Sequence, residues 1–305
     1  MPRSTTPRRT IRRLKAAEFF EDPQHKLRVM RVPSQLPGQV PHAHEFEELV
    51  VIVGGRATHR VGNEEYEIGV GEVFVVLPSM SHCYPRTEGL SLINILYDAS
   101  RLRLPNADLG ALPGYHALFE VEPRLRQRER FKNRLKLSME DLGQFLNIVA
   151  EAERELAQRE LGCHFMATAH FMRMIGFLSR AYTDKIPPVA RPVTQISKVL
   201  GHLERHYAEP LTIRDLANVA GMSPTSLFRT FRAIMDRPPL DYLIRMRIDK
   251  ARHLLRSGTL RVSEVSAAVG FNDSNYFTRQ FRRITGQTPR AAMRPDRAEL
   301  VPRRA

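Results

Sequence analysis

The sequence predicts an α+β chain of two domains: an antiparallel β-barrel with a helical segment after it, then an all-α domain carrying two helix-turn-helix motifs. Three observations predict this. Short runs rich in Val, Ile, Leu and Phe crowd residues 27–104. One helical module occurs twice between Leu211 and Ala292. The positive charge of the chain collects where that module lies. At 305 residues, two domains are expected.

The charge places the partners. The formal net charge is +14, of which residues 1–15 carry +6 and residues 192–305 carry +10, leaving −2 for 16–191. A basic domain seeks a polyanion, nucleic acid first and an anionic membrane second. No uninterrupted apolar run approaches the ~20 residues of a membrane helix. The N-terminus lacks the apolar stretch of a signal peptide. Cys83 and Cys163 form no CxxC pair. A reduced, cytoplasmic chain with no membrane partner is the expectation.

Residues 1–26 form a basic arm containing Arg3, Arg8, Arg9, Arg12, Arg13 and Lys15. Such an arm either touches phosphates or is a solvated tail. Residues 27–104 carry the strands, at Leu27–Val32, Glu45–Val53, Ala57–Val61, Tyr66–Ile68, Val73–Leu77 and Leu90–Tyr97. Val61-Gly62-Asn63-Glu64 is a hairpin signal.

The first of these strands to carry chemistry follows His42. Side chains alternate along a strand, so His42, His44, Phe46, Glu48, Val50 and Ile52 share one face. Two imidazoles and a carboxylate then point to the side that Val50 and Ile52 mark as interior. His82 supplies a third imidazole farther on. Three readings stay open for this set: a divalent metal site, a metal-free pocket for a small polar ligand, and a structural group of satisfied inward polar residues.

His42-x-His44-x-x-x-Glu48 with Gly55 after it resembles the first cupin motif, and Gly71 through Leu77 to His82 resembles the second. The cupin pattern prefers Pro where this chain has Leu77 and Gly where it has Ser79. The resemblance implies a cupin-like sensing domain in which His42, His44, Glu48 and His82 hold the ligand, or a divalent ion if one is bound. No other cofactor is expected.

Residues 105–184 form a helical segment. Leu112–Pro123 reads as a compact loop with a short extended piece, and it is similar to a segment of rhamnose-type regulators. Leu142, Phe145, Leu146, Val149, Ala152 and Leu156 then repeat at helical spacing, as do Phe165, Met166, Ala169, Met172, Ile175 and Leu178. The run Glu151–Glu160 reads as a solvated face. A helix pair of this kind packs on its own barrel and leaves surface for a homodimer. Three prolines in 187–192 make residues 185–193 a linker.

Residues 194–295 hold the repeat, with helix-turn-helix motifs at about 213–234 and 262–284. Ile213–Met222 aligns with Val262–Phe271 at an offset of 49, and Arg229 with Arg279 at an offset of 50. The second copy therefore has one extra turn residue. Ser223-Pro224 and Asn272-Asp273 open the two recognition helices. Ser223, Thr225, Phe228 and Arg229 in the first copy, and Asn272, Ser274, Asn275 and Arg279 in the second, are the expected DNA-facing residues. Phe271, Tyr276, Phe277 and Phe281 are assigned to packing. Arginine pairs guanine bidentately, which puts Arg229 and Arg279 first.

The paired modules, the helix around Arg247-Ile248-x-x-Ala251-x-x-Leu254-Leu255, and Val269-Gly270-Phe271-x-x-x-x-Tyr276-Phe277-x-Arg279-x-Phe281 resemble the C-terminal domain of the AraC/XylS family of bacterial transcription regulators. Asp236 stands where that family usually has Gly, and Ala292-Met293 where it has Tyr-Arg. The resemblance implies a ligand-responsive transcription factor, an activator of a carbohydrate operon, with promoter DNA, RNA polymerase, a sugar effector and a second copy of itself as partners. The alternative is a metal-dependent cupin enzyme fused to a DNA-binding domain.

Overall fold

The computed structural model describes residues 11–38, 40–102, 109–128, 134–185 and 191–293. Packing divides the chain into two compact units, 1–197 and 198–305. Among the described residues no helix is long and apolar enough to cross a membrane.

The first unit is built on one eight-stranded sheet. Its strands are β1 (Arg12–Leu14), β2 (Leu27–Val32), β3 (His42–His44), β4 (Glu47–Val61), β5 (Glu64–Gly69), β6 (Glu72–Val76), β7 (His82–Tyr97) and β8 (Leu135–Lys136). Pairing runs β1-β3-β7-β4-β6-β8, with β2 added to β7 and β5 to β4, and the path does not return on itself. The closed barrel expected from the sequence is thus an open sheet. It curls around its core, because Val50, Ile52, Ala57 and Val61 from both halves of β4 lie in one buried cluster with Tyr66, Phe74, Tyr84 and Leu92.

The two strands expected at 45–53 and 57–61 are one 15-residue strand. Gly54-Gly55 bends β4 without ending it, and the pairing with β7 shifts register there. Gly55 has φ +67°, and a Cβ on it would lie 2.2 Å from the Gly89 carbonyl oxygen. Only glycine permits both that φ and that approach. The outer face of the same strands is buried too, with Leu49, Val51, Val73, Val75, Ile93 and Ile95 all at 0–1 % exposure. Burial on both faces explains why these strands read as continuous apolar runs.

Part of the expected arm belongs to this sheet. Arg12–Leu14 pairs in parallel with His42–His44. Phe19 and Phe20 pack on Phe46, with ring centres 5.2 and 5.3 Å apart. The solvated-tail reading is corrected for these residues: charge hid the Leu14, Phe19 and Phe20 side chains, which need cover. Arg3, Arg8 and Arg9 lie outside the described residues.

Helices α1 (Ala99–Leu102), α2 (Pro113–His116), α3 (Glu122–Arg128), α4 (Met139–Gln158) and α5 (Cys163–Lys185) follow. After the extended cap residue Leu112, the stretch from Pro113 to Pro123 is helical, with a π-turn at Ala117–Val121 between α2 and α3, and not the loop and extended piece expected. Pro113 opens α2 where its missing N–H is harmless. Ala117, Leu118 and Val121 are fully buried, so packing overrides the local preference for an irregular chain. Of the charged run on α4, Glu153 accepts three hydrogen bonds from Arg31 of β2, at 2.7, 2.8 and 3.1 Å, and Glu151 pairs with Arg173 and His170 of α5.

A buried ionic cluster went unseen in the sequence. Glu122 accepts from Arg126 at 3.2 Å and from the Tyr182 hydroxyl at 2.5 Å, with all three residues buried. Burial pushes the Glu122 carboxyl up to about 7, against the pull of Arg126. The folded chain therefore holds a proton that the unfolded chain releases above about pH 4.5. Stability is expected to fall as pH rises from there to about 7, by up to about 1.4 kcal/mol per pH unit. Urea titrations between pH 4.5 and 7.5 test this. Glu122→Gln should remove that slope, and an unchanged slope would count against the assignment.

The boundary between the units falls within α6 (Arg191–His206), and the second unit is all helical from there: α7 (Ile213–Ala220), α8 (Pro224–Met235), α9 (Pro239–Ser257), α10 (Val262–Ala268), α11 (Ser274–Thr285) and α12 (Pro289–Ala292). Arg191 and Pro192, expected in the linker, begin α6. Pro187 and Pro188 lie outside the described residues. Thr212 and Asp215 cap α7 reciprocally. Ser223 caps α8, and Asp273, not Asn272, caps α11. Phe231, Leu227, Ile234 and Met235 of α8, and Phe277 and Phe281 of α11, supply the buried stripes. Arg247, read as part of a basic face, donates to the carbonyls of Tyr207 and Glu209 at 2.6 and 2.7 Å just beyond α6. Its guanidinium also lies 5.7 Å from the Phe271 ring centre, so α9 ties the chain just after α6 to the second module.

Two departures from the family patterns sit where the backbone is left-handed. Ser79 has φ +65° and Asp236 has φ +62°, while Gly286, the counterpart of Asp236, has φ +78°. A side chain costs about 1–2 kcal/mol there, partly offset by the greater freedom of glycine in the unfolded chain. Ser79→Gly is expected to stabilise by about 0.5 kcal/mol, read as a raised urea midpoint. A lowered midpoint would show that the Ser79 side chain is needed in the turn.

Candidate effector pocket and nucleic-acid interface

The curl of the first unit leaves a cavity of about 390 Å³. The β3–β4 segment contributes His42, His44, Phe46 and Glu48; β7 contributes His82, Tyr84, Asn94 and Leu96; Met30 and Val32 of β2, Gln35, Val40 and the arm residues Arg12, Leu14 and Phe19 complete the wall. The register explains the meeting. His42 stands opposite His82 in the β3–β7 ladder, and Glu48 opposite Leu96 in the β4–β7 ladder.

The four expected ligand residues all line the cavity, but only three converge. His44 Nε2 lies 3.2 Å and His82 Nε2 3.4 Å from Glu48 Oε2. These three donor atoms lie within 4.8 Å of one another, and their residues are buried. His42 is half-buried beside them, its ring centre 4.3 Å from that of His82. Burial holds the His42 and His82 rings below the usual histidine range, with the charges of neighbouring histidines adding for both.

Among the described residues the three converging atoms have no hydrogen-bond partner, although buried polar groups normally do. Tyr84 Oη and Asn94 Oδ1, two further atoms of pocket-lining residues, are also unmatched there. Burial and the nearby Glu48 push the Tyr84 hydroxyl up, so it keeps its proton and can donate. Sequence reasoning missed Tyr84, Asn94, Gln35 and Arg12. Tyr84 and Asn94 lie two and twelve residues after His82, an even spacing that was available as a same-face signal on β7. The donor set suits two occupants: a divalent cation, held by His44, Glu48 and His82, or an organic ligand rich in hydroxyls.

The second unit presents the DNA-facing candidates. Thr225, Phe228 and Arg229 on α8, and Asn272, Ser274, Asn275 and Arg279 at or on α11, are exposed. Ser223 is exposed as well, but its hydroxyl is engaged with the Ser226 backbone and side chain. Tyr276, assigned to packing, is 36 % exposed and keeps one ring contact to Phe271 at 6.0 Å. The Arg279 guanidinium stands 5.9 Å from its ring centre. At the matching place in the first copy is Ser226, which offers Arg229 no ring of this kind. The turn of the second copy runs four residues from Gly270 to its cap Asp273, against three from Gly221 to Ser223.

A sensor pocket on one unit and two helix-turn-helix motifs on the other define a ligand-responsive, DNA-binding transcription regulator. Residues 33–168 match the AraC-like ligand binding domain, and residues 216–294 match a helix-turn-helix domain. The chain is 30 % identical over 275 residues to the HTH-type transcriptional activator RhaR of Escherichia coli K12, covering 89 % of this chain and 93 % of that one. It belongs to the AraC family of transcription regulators. Its relatives are regulators, not enzymes, which removes the fused-enzyme alternative. Among solved structures, the DNA-binding domain of AdpA in complex with a target DNA is 31 % identical, covers 32 % of this chain and 88 % of that one, and has a TM-score of 0.31. An apo ToxT variant from Vibrio cholerae is 13 % identical, covers 88 % of this chain and 93 % of that one, and has a TM-score of 0.34. At these TM-scores neither likeness adds to the functional argument.

Proposed function

We propose that the chain is a sugar-responsive activator of a carbohydrate operon, acting in the bacterial cytoplasm. The cupin-like part of the first unit, residues 27–104, takes the effector, with His42, His44, Glu48 and His82 as its ligand residues. The observation that carries this is the set of unmatched buried polar atoms around one cavity. Leaving such groups unmet costs roughly 1–3 kcal/mol each, and a polyhydroxylated ligand meets them.

The α4–α5 hairpin, in the segment 105–184, pairs two copies of the chain. Phe165 at 77 % exposure and Met166 at 41 % leave apolar surface there, and two-fold operators suit two-fold proteins. In the second unit, the α8 and α11 helices enter successive major grooves. Thr225, Phe228 and Arg229, and Asn272, Ser274, Asn275 and Arg279, face the bases, with Ser223 at the start of α8. Activation works through RNA polymerase, in keeping with RhaR being a transcriptional activator.

The test is genome-wide mapping of bound sites, then calorimetry with a panel of pentoses, hexoses and sugar acids chosen from the neighbouring operon. Saturable binding of one sugar class that changes affinity for the mapped site is the expected result. If no sugar binds and occupancy is constant, the effector reading fails.

A further inference from the structure

Arg12 stands apart from the other basic residues of the arm. β1 runs parallel to β3, with Arg12 opposite His42, Arg13 opposite Ala43 and Leu14 opposite His44. Partners in a ladder turn their side chains to the same face, and successive residues alternate. His42 and His44 line the cavity, and so do Arg12 and Leu14, whereas Arg13, Ala43 and Lys15 do not. The Arg12 backbone N–H donates to the Pro41 carbonyl at 3.1 Å, which holds this strand beside β3. The two-residue period thus sends one guanidinium of the basic run to the cavity and turns Arg13 away from it.

Arg12 is exposed, which puts it at the mouth of the cavity. It is the only arginine or lysine among the described lining residues, and among the described residues no carboxylate pairs with it. The only acid of the wall is Glu48, which is buried. The cavity is therefore polarised, with a carboxylate deep inside and an unpaired guanidinium at the entrance. A ligand that satisfies both ends offers O–H donors to the inner end and an anionic acceptor to the outer one. The reverse orientation would set the ligand's negative charge against Glu48.

We propose that Arg12 is an effector-binding residue and that the effector is a sugar acid, of aldonic or uronic type, bound with its hydroxyls inward and its carboxylate on Arg12. A guanidinium presents a planar fork of N–H donors that matches the two oxygens of a carboxylate. A neutral sugar leaves that fork to water. A phosphate ester, carrying nearly two negative charges, calls for a second fixed cation, which the described wall lacks. The cavity of about 390 Å³ lies near the lower end of the range for small-ligand sites, about 300–1,000 Å³, in keeping with a small acid. This inference rests on the sugar-effector reading and narrows it to one charge class.

Calorimetry on the full-length chain tests this with gluconate, galactonate, mannonate, xylonate, arabinonate, glucuronate and galacturonate, each beside its primary amide and its parent sugar. One acid is expected to bind about 10-fold more tightly than its own amide, a ratio between that of a screened surface pair and that of a buried one. The ratio should shrink as salt rises. Arg12→Ala and Arg12→Gln should each bring it close to one, and Arg12→Lys should keep part of it, since the charge remains but the fork is lost. Arg13→Ala, on the other face of the same strand, should keep the wild-type ratio. A neutral sugar or amide that binds as tightly as any acid, a ratio that survives both Arg12→Ala and Arg12→Gln, or an equal loss in Arg13→Ala would each overturn the inference and leave the sugar-effector reading standing. Binding by none of these compounds would sink both.

Discussion

Glu48→Ala is expected to lower sugar affinity by about 100-fold, close to 3 kcal/mol, while the chain stays folded. The carboxylate is 5 % exposed, and among the described residues its Oε2 has no partner but the two histidine rings. In the free protein such a buried charge is a cost, since burial weakens its hydration and no described protein group hydrogen-bonds to Oε2. On binding, a ligand hydroxyl supplies that bond, and that gain is what Glu48→Ala removes. The two effects have opposite signs. Thermal stability of the effector-free variant should hold or rise, as deletions of strained binding groups often do. Glu48→Gln keeps an acceptor but no charge and should fall between. Calorimetry with the best sugar from the panel reads the affinity. A loss under threefold would remove Glu48 from the site, and a collapsed melt would make it structural.

Arg279→Ala is expected to weaken binding to the mapped promoter by about 10- to 100-fold, or 1–3 kcal/mol, and binding to random duplex only slightly at equal salt. The argument rests on how the side chain is held. Tyr276 is exposed beside it, and the guanidinium lies 5.9 Å from the ring centre, a cation–π distance. A held arginine loses less freedom when it pairs a base. Tyr276→Ala should therefore reproduce part of the loss. Arg279→Lys should not rescue, because an ammonium cannot make the bidentate pair. Arg229→Ala should cost less, since Ser226 occupies the place of Tyr276 in the first copy. Equal losses on promoter and random DNA, with a reduced salt slope, would make Arg279 a phosphate contact.

Much of this was legible in the primary structure because it is local. Caps at Thr212, Ser223 and Thr288 depend on side chains within three residues of the backbone they meet. The buried stripes of α8 and α11 follow the 3.6-residue period. The inward set at His42, His44 and Glu48 follows the two-residue period of a strand, and motif resemblance added His82. What failed to show were long-range pairs. Asn94 reaches the cavity opposite Val50 through the β4–β7 register. His59 meets His82 across 23 residues, and Glu122 meets Tyr182 across 60. Arg12–Leu14 was hidden by the charges around it, because nothing in a basic run announces that β3 offers an open edge.

The sequence by itself determined the duplicated helix-turn-helix, its turns and caps, the sheet-rich sensor and the residue types of its pocket. All of these follow from period, capping chemistry and charge, which act over a few bonds or one element. Only the tertiary structure decided that the sheet stays open, that three of four expected ligands converge while His42 stands aside, and that His59 sits behind His82. Those outcomes depend on register and on the direction of buried donors and acceptors. Burial raises the cost of each unmatched donor, and it brings together atoms that no local rule relates.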